Sequence, residues 1–178
     1  MIFHETPLKD AYWLEVEQVE DERGFFARVW CKKEFAKYGL STEMVQGSVS
    51  FNRKKGTLRG MHFQMPPYEE TKIVRCTHGG IFDVIIDLRP GSATYTQWYG
   101  VELTAENRKM LVIPPGFAHG FQTILDETEV FYLISEFYHL DAAQGVRWND
   151  PTFSIEWPTV GLRTISERDQ HWPDYILE

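Results

Sequence analysis

Residues 81–89 read IFDVIIDLR. Phe82, Val84, Ile86 and Leu88 fall at every second position, and Asp83 and Asp87 fall on the alternate set. That period of two predicts an extended strand with one buried face. Turn signals bound the stretch, HGG at 78–80 and RPGS at 89–92. Outward from it the same rhythm repeats. TEVFYLISEFY at 128–138 is rich in β-branched and aromatic residues, and Trp98–Leu103, Met110–Ile113 and KIVRC from Lys72 are further short strands. AEN at 105–107 and IPPG at 113–116 break the chain between them. Helical signals are confined to KKEFAKYG at 32–39, stopped by Gly39, and to a turn within ISERDQHW at 165–172. Short strands at regular spacing predict an all-β fold, a jelly roll or antiparallel β-sandwich with a few short helices. With no internal repeat or linker, residues 1–178 read as one domain.

Bulk composition narrows the function. A chain of 178 residues can bury a core without disulfide staples. Its formal net charge is -8 and no Lys/Arg block stands out. This argues against a general nucleic-acid binder, since neutralising phosphates takes a basic surface. A few local arginines can still hold one anionic small molecule. The two cysteines, Cys31 and Cys76, form no CxxC and suggest no disulfide framework. The N-terminus lacks a basic start followed by an apolar run, and no stretch has the length of a membrane span. The expectation is a cytoplasmic protein without a membrane partner. GxGxxG, GxxxxGK[ST] and GxSxG are all missing from the sequence, so nucleotide-fold and serine-hydrolase chemistry have no foothold.

The chemistry-bearing residues sit on strands and turns. His62 lies in the apolar stretch LRGMHFQ at 58–64, and His119 lies in IPPGFAHGF at 113–121. The spacing Pro114-x-Gly116-x-x-His119 matches a turn of cupin-type jelly rolls that delivers a histidine into the barrel mouth. A metal-binding version also needs an upstream HxH, and positions 60 and 64 are Gly60 and Gln64. A catalytic metal wants about three protein ligands, and no third one has sensible spacing, so no metal site is assigned. The bland alternative is a pair of satisfied core histidines. Tyr132, Glu136 and Tyr138 share strand parity with Val130 and Ile134, which suits a pocket wall, although tyrosines also line cores. Lys72 opens a strand. Arg23 and Arg59 each precede a glycine, where they can grip phosphate or simply lie on the surface. Ser166 and Asp169, three apart in SERD, read as a helix-capping pair. A set of His, Lys, Tyr, Asp and Arg with no cofactor motif suits proton transfer next to a carbonyl. One group removes a carbon-bound proton, a cation or donor holds the enolate oxygen, and an acid returns the proton to the other face.

Longer strings carry a specific likeness. TLRGMHFQ (57–64), KIVRCTHGGIFDVIIDLRPGS (72–92), VELTAENRKMLVIPPGFAHGFQ (101–122), RWNDPTFSIEWP (147–158), SERD (166–169) and DERGFFARVW (21–30) closely resemble the dTDP-4-dehydrorhamnose 3,5-epimerase family. The resemblance implies a cupin-like jelly roll, a homodimer, no metal or cofactor, and a nucleoside-diphosphate 4-keto-6-deoxy sugar as substrate. It assigns the base to His62, the base's carboxylate partner to Asp169, the group at the enolate oxygen to Lys72 and the acid to Tyr132. It places Gln46, Arg59, His119 and Tyr138 in the pocket, and Arg23, Phe25 and Phe26 at the nucleotide. Two departures stand out. Arg28 sits where many members carry an acidic residue, beside the expected nucleotide contacts, and Leu133-Ile134-Ser135 replaces a common Lys-Thr-Thr. Arg28 bears on whether the carrier is dTDP or another nucleotide, and Leu133-Ile134-Ser135 on how the tyrosine is held and so on whether C3, C5 or both centres invert. A C3-only epimerase, a non-catalytic nucleotide-sugar binder and a metal-dependent cupin are the competing readings.

Overall fold

The computed structural model describes residues 1–40 and 43–177. The chain forms β1 (Ile2–Glu5), β2 (Tyr12–Glu15), β3 (Gln18–Asp21), β4 (Gly24–Ala27), α1 (Lys32–Ala36), β5 (Gln46–Asn52) and β6 (Thr57–Gln64). It continues through β7 (Lys72–His78), β8 (Gly80–Asp87), β9 (Trp98–Thr104), β10 (Met110–Ile113), β11 (Phe117–Thr123) and β12 (Thr128–Ile134). It closes with β13 (Ala143–Gly145), β14 (Thr164–Ile165) and α2 (Glu167–Gln170).

Two sheets make the body. One runs β1-β2-β10-β7-β12-β5; the other runs β13-β6-β11-β8-β9, with β14 beside β6. All pairings are antiparallel except β14 with β6. The antiparallel jelly-roll sandwich expected from the turn rhythm is therefore present. β3 and β4 form a separate two-stranded ribbon. The inner core lies between the sheets, with Val74, Leu111 and Val130 from one meeting Ile81, Ile85 and Phe121 from the other.

The strand read from IFDVIIDLR is β8, but only part of its expected pattern holds. Val84, Ile86 and Leu88 do share a buried face, which packs beneath Phe153 and the rings of Trp98 and Trp157 on the outside of the sheet. The opposite face is buried as well, because Ile81 and Ile85 belong to the inner core and Asp83 and Asp87 are fully buried beside them. The carboxylates point into the sandwich because partners await them there. Asp87 accepts from Arg89 Nε, Ser92 Oγ and Thr94 Oγ1. The run 128–138 also differs from expectation, since its strand ends at Ile134. Four short N-terminal strands, β1 to β4, carry too few residues each to show a period and were not expected.

One irregularity positions the site. β6 and β11 pair His62 with His119, yet Arg59 with Phe121. Three residue steps on β6 therefore oppose two on β11, a bulge that changes side-chain parity. It brings Arg59 and His62, which an unbroken strand would place on opposite faces, to one cavity. Gly60 lets the backbones approach at this point. Its φ is +126°, and a Cβ there would lie 2.5 Å from Gly120 Cα.

Gly60→Ala is expected to lower stability by roughly 2–3 kcal/mol, because left-handed strain and a backbone clash coincide. Gly47→Ala, whose Cβ would meet only ordinary contacts at 3.9 Å, is the control. Chemical denaturation that shows equal effects for the two would contradict this account of the bulge.

Candidate active site

His62 leaves β6 toward the interior and binds a carboxylate more than a hundred residues later in sequence. Its Nε2 lies 2.7 Å from Asp169 Oδ1. Asp169 sits on α2 and is 4% exposed. The capping reading of SERD holds, since Ser166 Oγ accepts from Asp169 N. The same turn aims the Asp169 side chain at the sheet, where Oδ2 also accepts from Gly60 N. Burial works against the charged carboxylate, but hydrogen bonds from His62 and Gly60 and the attraction of His62 outweigh it and hold Asp169 below its ordinary range. The His62 side chain is 44% exposed, so its ring opens to the cavity while its partner does not.

A second histidine–carboxylate pair lies directly across the strand pairing. His119 Nε2 is 2.7 Å from Asp83 Oδ1. Both residues are buried, and Asp83 Oδ2 has no hydrogen-bond partner among the described residues. Burial pushes Asp83 above its ordinary value, against the pull of His119 and Lys72. The competing reading of core histidines describes His119 in part, since it is buried and satisfied, but it also lines a cavity.

That inner cavity, of about 320 Å³, gathers Arg59, His62, Lys72, His119 and Tyr132. The His119 and Tyr132 rings meet edge-to-face at 6.2 Å. Burial, reinforced by the negative charge of Asp83, raises Tyr132 far above an ordinary phenol, so it keeps its proton at any working pH. An adjoining chamber of about 330 Å³ shares His62, Lys72 and Ile134 with the first and adds Gln46, Glu136 and Tyr138. Glu136 and Tyr138 thus reach a pocket as expected, although they lie beyond the end of β12.

Lys72 Nζ is 2.8 Å from Glu70 Oε1, and both side chains are largely buried. Glu70 and Asp83 were both missed in the sequence. Asp83 was visible there as the odd carboxylate in IFDVIIDLR, whereas Glu70 sits in a loop-like stretch with no periodic signal. Among the described residues, no group of three His, Cys, Asp or Glu side chains is placed to hold a metal ion.

Four expected contacts lie elsewhere in the chain. Arg23, on the turn between β3 and β4, binds Asp21 with Nη2 2.6 Å from Oδ2. Phe25 lies under the Arg108 guanidinium at 4.7 Å, and Phe26 is 72% exposed. Arg28 pairs with Glu34 of α1 at 3.3 Å. None of the four is among the residues that line the two chambers. Of the other departures, Leu133 packs beside Ile73, Ile134 lines both chambers, and Ser135 Oγ accepts from Thr71 N at 2.8 Å.

Comparison with known proteins fits this geometry. The family model for dTDP-4-dehydrorhamnose 3,5-epimerase matches residues 5–176. A dTDP-4-dehydrorhamnose 3,5-epimerase of Shigella flexneri is 43% identical over 172 residues, covering 96% of this chain and 94% of the relative. The crystal structure of the Bacillus anthracis dTDP-4-dehydrorhamnose 3,5-epimerase with TDP and PPi bound has a TM-score of 0.92 at 40% identity, covering 98% of this chain and 99% of that one. The dTDP-6-deoxy-D-glucose-3,5-epimerase of Legionella pneumophila in complex with dTDP-4-keto-L-rhamnose has a TM-score of 0.89 at 33% identity, over 94% and 89% of the two chains. With a family match over residues 5–176 and the same fold, the chain belongs to the dTDP-4-dehydrorhamnose 3,5-epimerase family.

Proposed function

We propose that this protein is an isomerase that epimerises dTDP-4-dehydro-6-deoxy-glucose at C3 and C5 to give dTDP-4-dehydrorhamnose, with residues 1–178 acting as one domain. The observation that carries the reading is the His62–Asp169 pair, 2.7 Å apart on the wall of a cavity that Lys72 and Tyr132 also line. The relatives' names and the dTDP-sugar complex of the Legionella relative support the substrate class.

The chemistry follows from what each group can do. A proton next to the C4 ketone is removable because the electron pair it leaves behind moves onto the ketone oxygen. His62, oriented by an ionised Asp169, takes that proton. Lys72 stabilises the enolate oxygen that forms. Tyr132, still protonated, returns a proton to the opposite face and inverts the centre. Reprotonation by His62 alone would restore the starting configuration. Repeating the cycle at the other carbon flanking the ketone gives the double epimer. The inner cavity supplies Arg59 and His119 as further contacts, and the outer chamber supplies Gln46 and Tyr138.

We also read the enzyme as a homodimer. β5 is an edge strand carrying exposed Val49 and Phe51, and Ser48, Val49 and Ser50 of that strand border the inner cavity. The β3–β4 ribbon presents Val19 and Phe26 to solvent. An assembly that lays the ribbon of one protomer beside the β5 edge of its partner covers both surfaces. It also carries Arg23, Phe25, Phe26 and Arg28 to the partner's cavity mouth, which reconciles their expected nucleotide contacts with their distance from the site in their own chain.

His62→Ala is expected to abolish deuterium uptake from D2O into the sugar, a loss of about 10²–10⁴-fold for a missing base. Tyr132→Phe should exchange deuterium yet invert poorly. NMR of the sugar reads both, and full uptake in the first variant or normal inversion in the second removes that residue from its role. Co-expression of His62→Ala with a Phe26→Ala, Arg23→Ala variant should recover activity that neither has alone, since one site of the mixed dimer would be intact. No recovery in a purified mixed dimer would place the ribbon outside the partner's site. Because the folded-state value of Asp169 is depressed, its ionisation contributes stability above the ordinary carboxylate range of about 4 and loses it as pH falls through the lower folded value. Unfolding titrations of wild type and Asp169→Asn should therefore differ near neutrality and converge in acid; a gap that is constant with pH would contradict an ionised Asp169.

A further inference from the structure

The segment after α2 makes a second contact with the His62–Asp169 pair. Trp172 is seated in a notch on β13, where a Cβ added at Gly145 would lie 2.4 Å from the indole ring. Gly145 is itself the register partner of His62. The Trp172 and His62 rings meet edge-to-face, with centroids 6.5 Å apart and planes at 70°. The Arg168 guanidinium lies over the same indole, 4.9 Å from its centroid, and lines the outer chamber with His62. The indole Nε1 is buried and falls short of a hydrogen bond of ordinary geometry. Its dipole still helps hold Asp169 ionised, after burial and the larger effects of His62 and Gly60.

The bond to Asp169 fixes one atom of the His62 ring. A ring held at one atom can still pivot about that bond, and the open cavity gives it room. Packing against a rigid neighbour removes that freedom. An indole locked in a glycine notch is such a neighbour, because two torsions place its whole bicyclic ring. It also occupies space from which water would otherwise reach the carboxylate.

We propose that Trp172 is a positioning residue for the reaction: seated against Gly145, it fixes the plane of the His62 ring and shields the Asp169–His62 bond from water. The proposal rests on His62 being the base. Arg168, stacked on the outer side of this wall, keeps the indole in place.

Steady-state kinetics and low-field proton NMR of the His62–Asp169 hydrogen test it in Trp172→Ala, Trp172→Leu and Trp172→Phe. Trp172→Ala should lower kcat about 10-fold with KM changed by less than about twofold, since a misplaced base costs turnover and not binding. Its low-field resonance, identified by its loss in His62→Ala, should broaden through exchange with water. Trp172→Phe, which keeps a flat ring in the notch, should stay within about threefold of wild type in kcat. If the alanine variant does not fold, Trp172→Leu carries the test, with the same drop expected at a near-native melting temperature. A wild-type kcat and a sharp resonance in the alanine or leucine variant would overturn the proposal. So would a raised KM at unchanged kcat, which would make Trp172 a substrate contact. Full deuterium uptake by His62→Ala would instead overturn the base assignment, whereas an inactive His62→Ala beside a wild-type-like Trp172→Ala defeats the positioning role alone.

Discussion

A buried carboxylate can stay charged only where donors surround it, and Asp169 meets that condition at one place in the fold. His62 from β6 and the Gly60 amide supply two donors, and the Ser166 cap sets the direction of approach. This contact joins the end of the chain to the middle of a sheet. On the way to it the chain covers the outer faces of β8 and β11 with Phe153, Ile155 and Trp157 and then pairs alongside β6 as β14. The charge requirement and the hydrophobic requirement thus select the same path for the chain.

The fold was legible because turn signals bound its central strands and the longer of them show a period. β8, β9, β10 and β12 each overlap a stretch read from alternation and turns, and Ser166 caps α2 as its spacing implied. The failures have physical causes. Period two reports that the two faces of a strand differ, but it does not say which face looks inward when both are covered. Asp83 and Asp87 accordingly looked like a solvent face and are interior. The ribbon strands β3 and β4 have four residues each and little burial, so no pattern could mark them.

The site was legible residue by residue but not in its pairings. His62, Lys72, His119 and Tyr132 could be singled out as chemistry-bearing types, and the family resemblance supplied the roles expected of them. Local sequence cannot show that Arg59 and His62 share a face, since only the β6 bulge brings this about. Nor can it show that each histidine has its own carboxylate, or that Lys72 is held by Glu70. These are long-range facts, set by how the sheets register. Arg23, Phe25 and Phe26 on the β3–β4 ribbon, and Arg28 just after it, line neither chamber, and nothing in the local pattern told them apart from residues that do.

The open edge of β5 has a consequence for the life of the single chain. Its outward-facing backbone groups and the apolar side chains of Val49 and Phe51 form a template to which any extended peptide can add. A newly made chain carries this template until something covers it. Whatever covers β5 therefore also protects the protein from edge-to-edge aggregation, so solubility during synthesis depends on the same strand that borders the inner cavity.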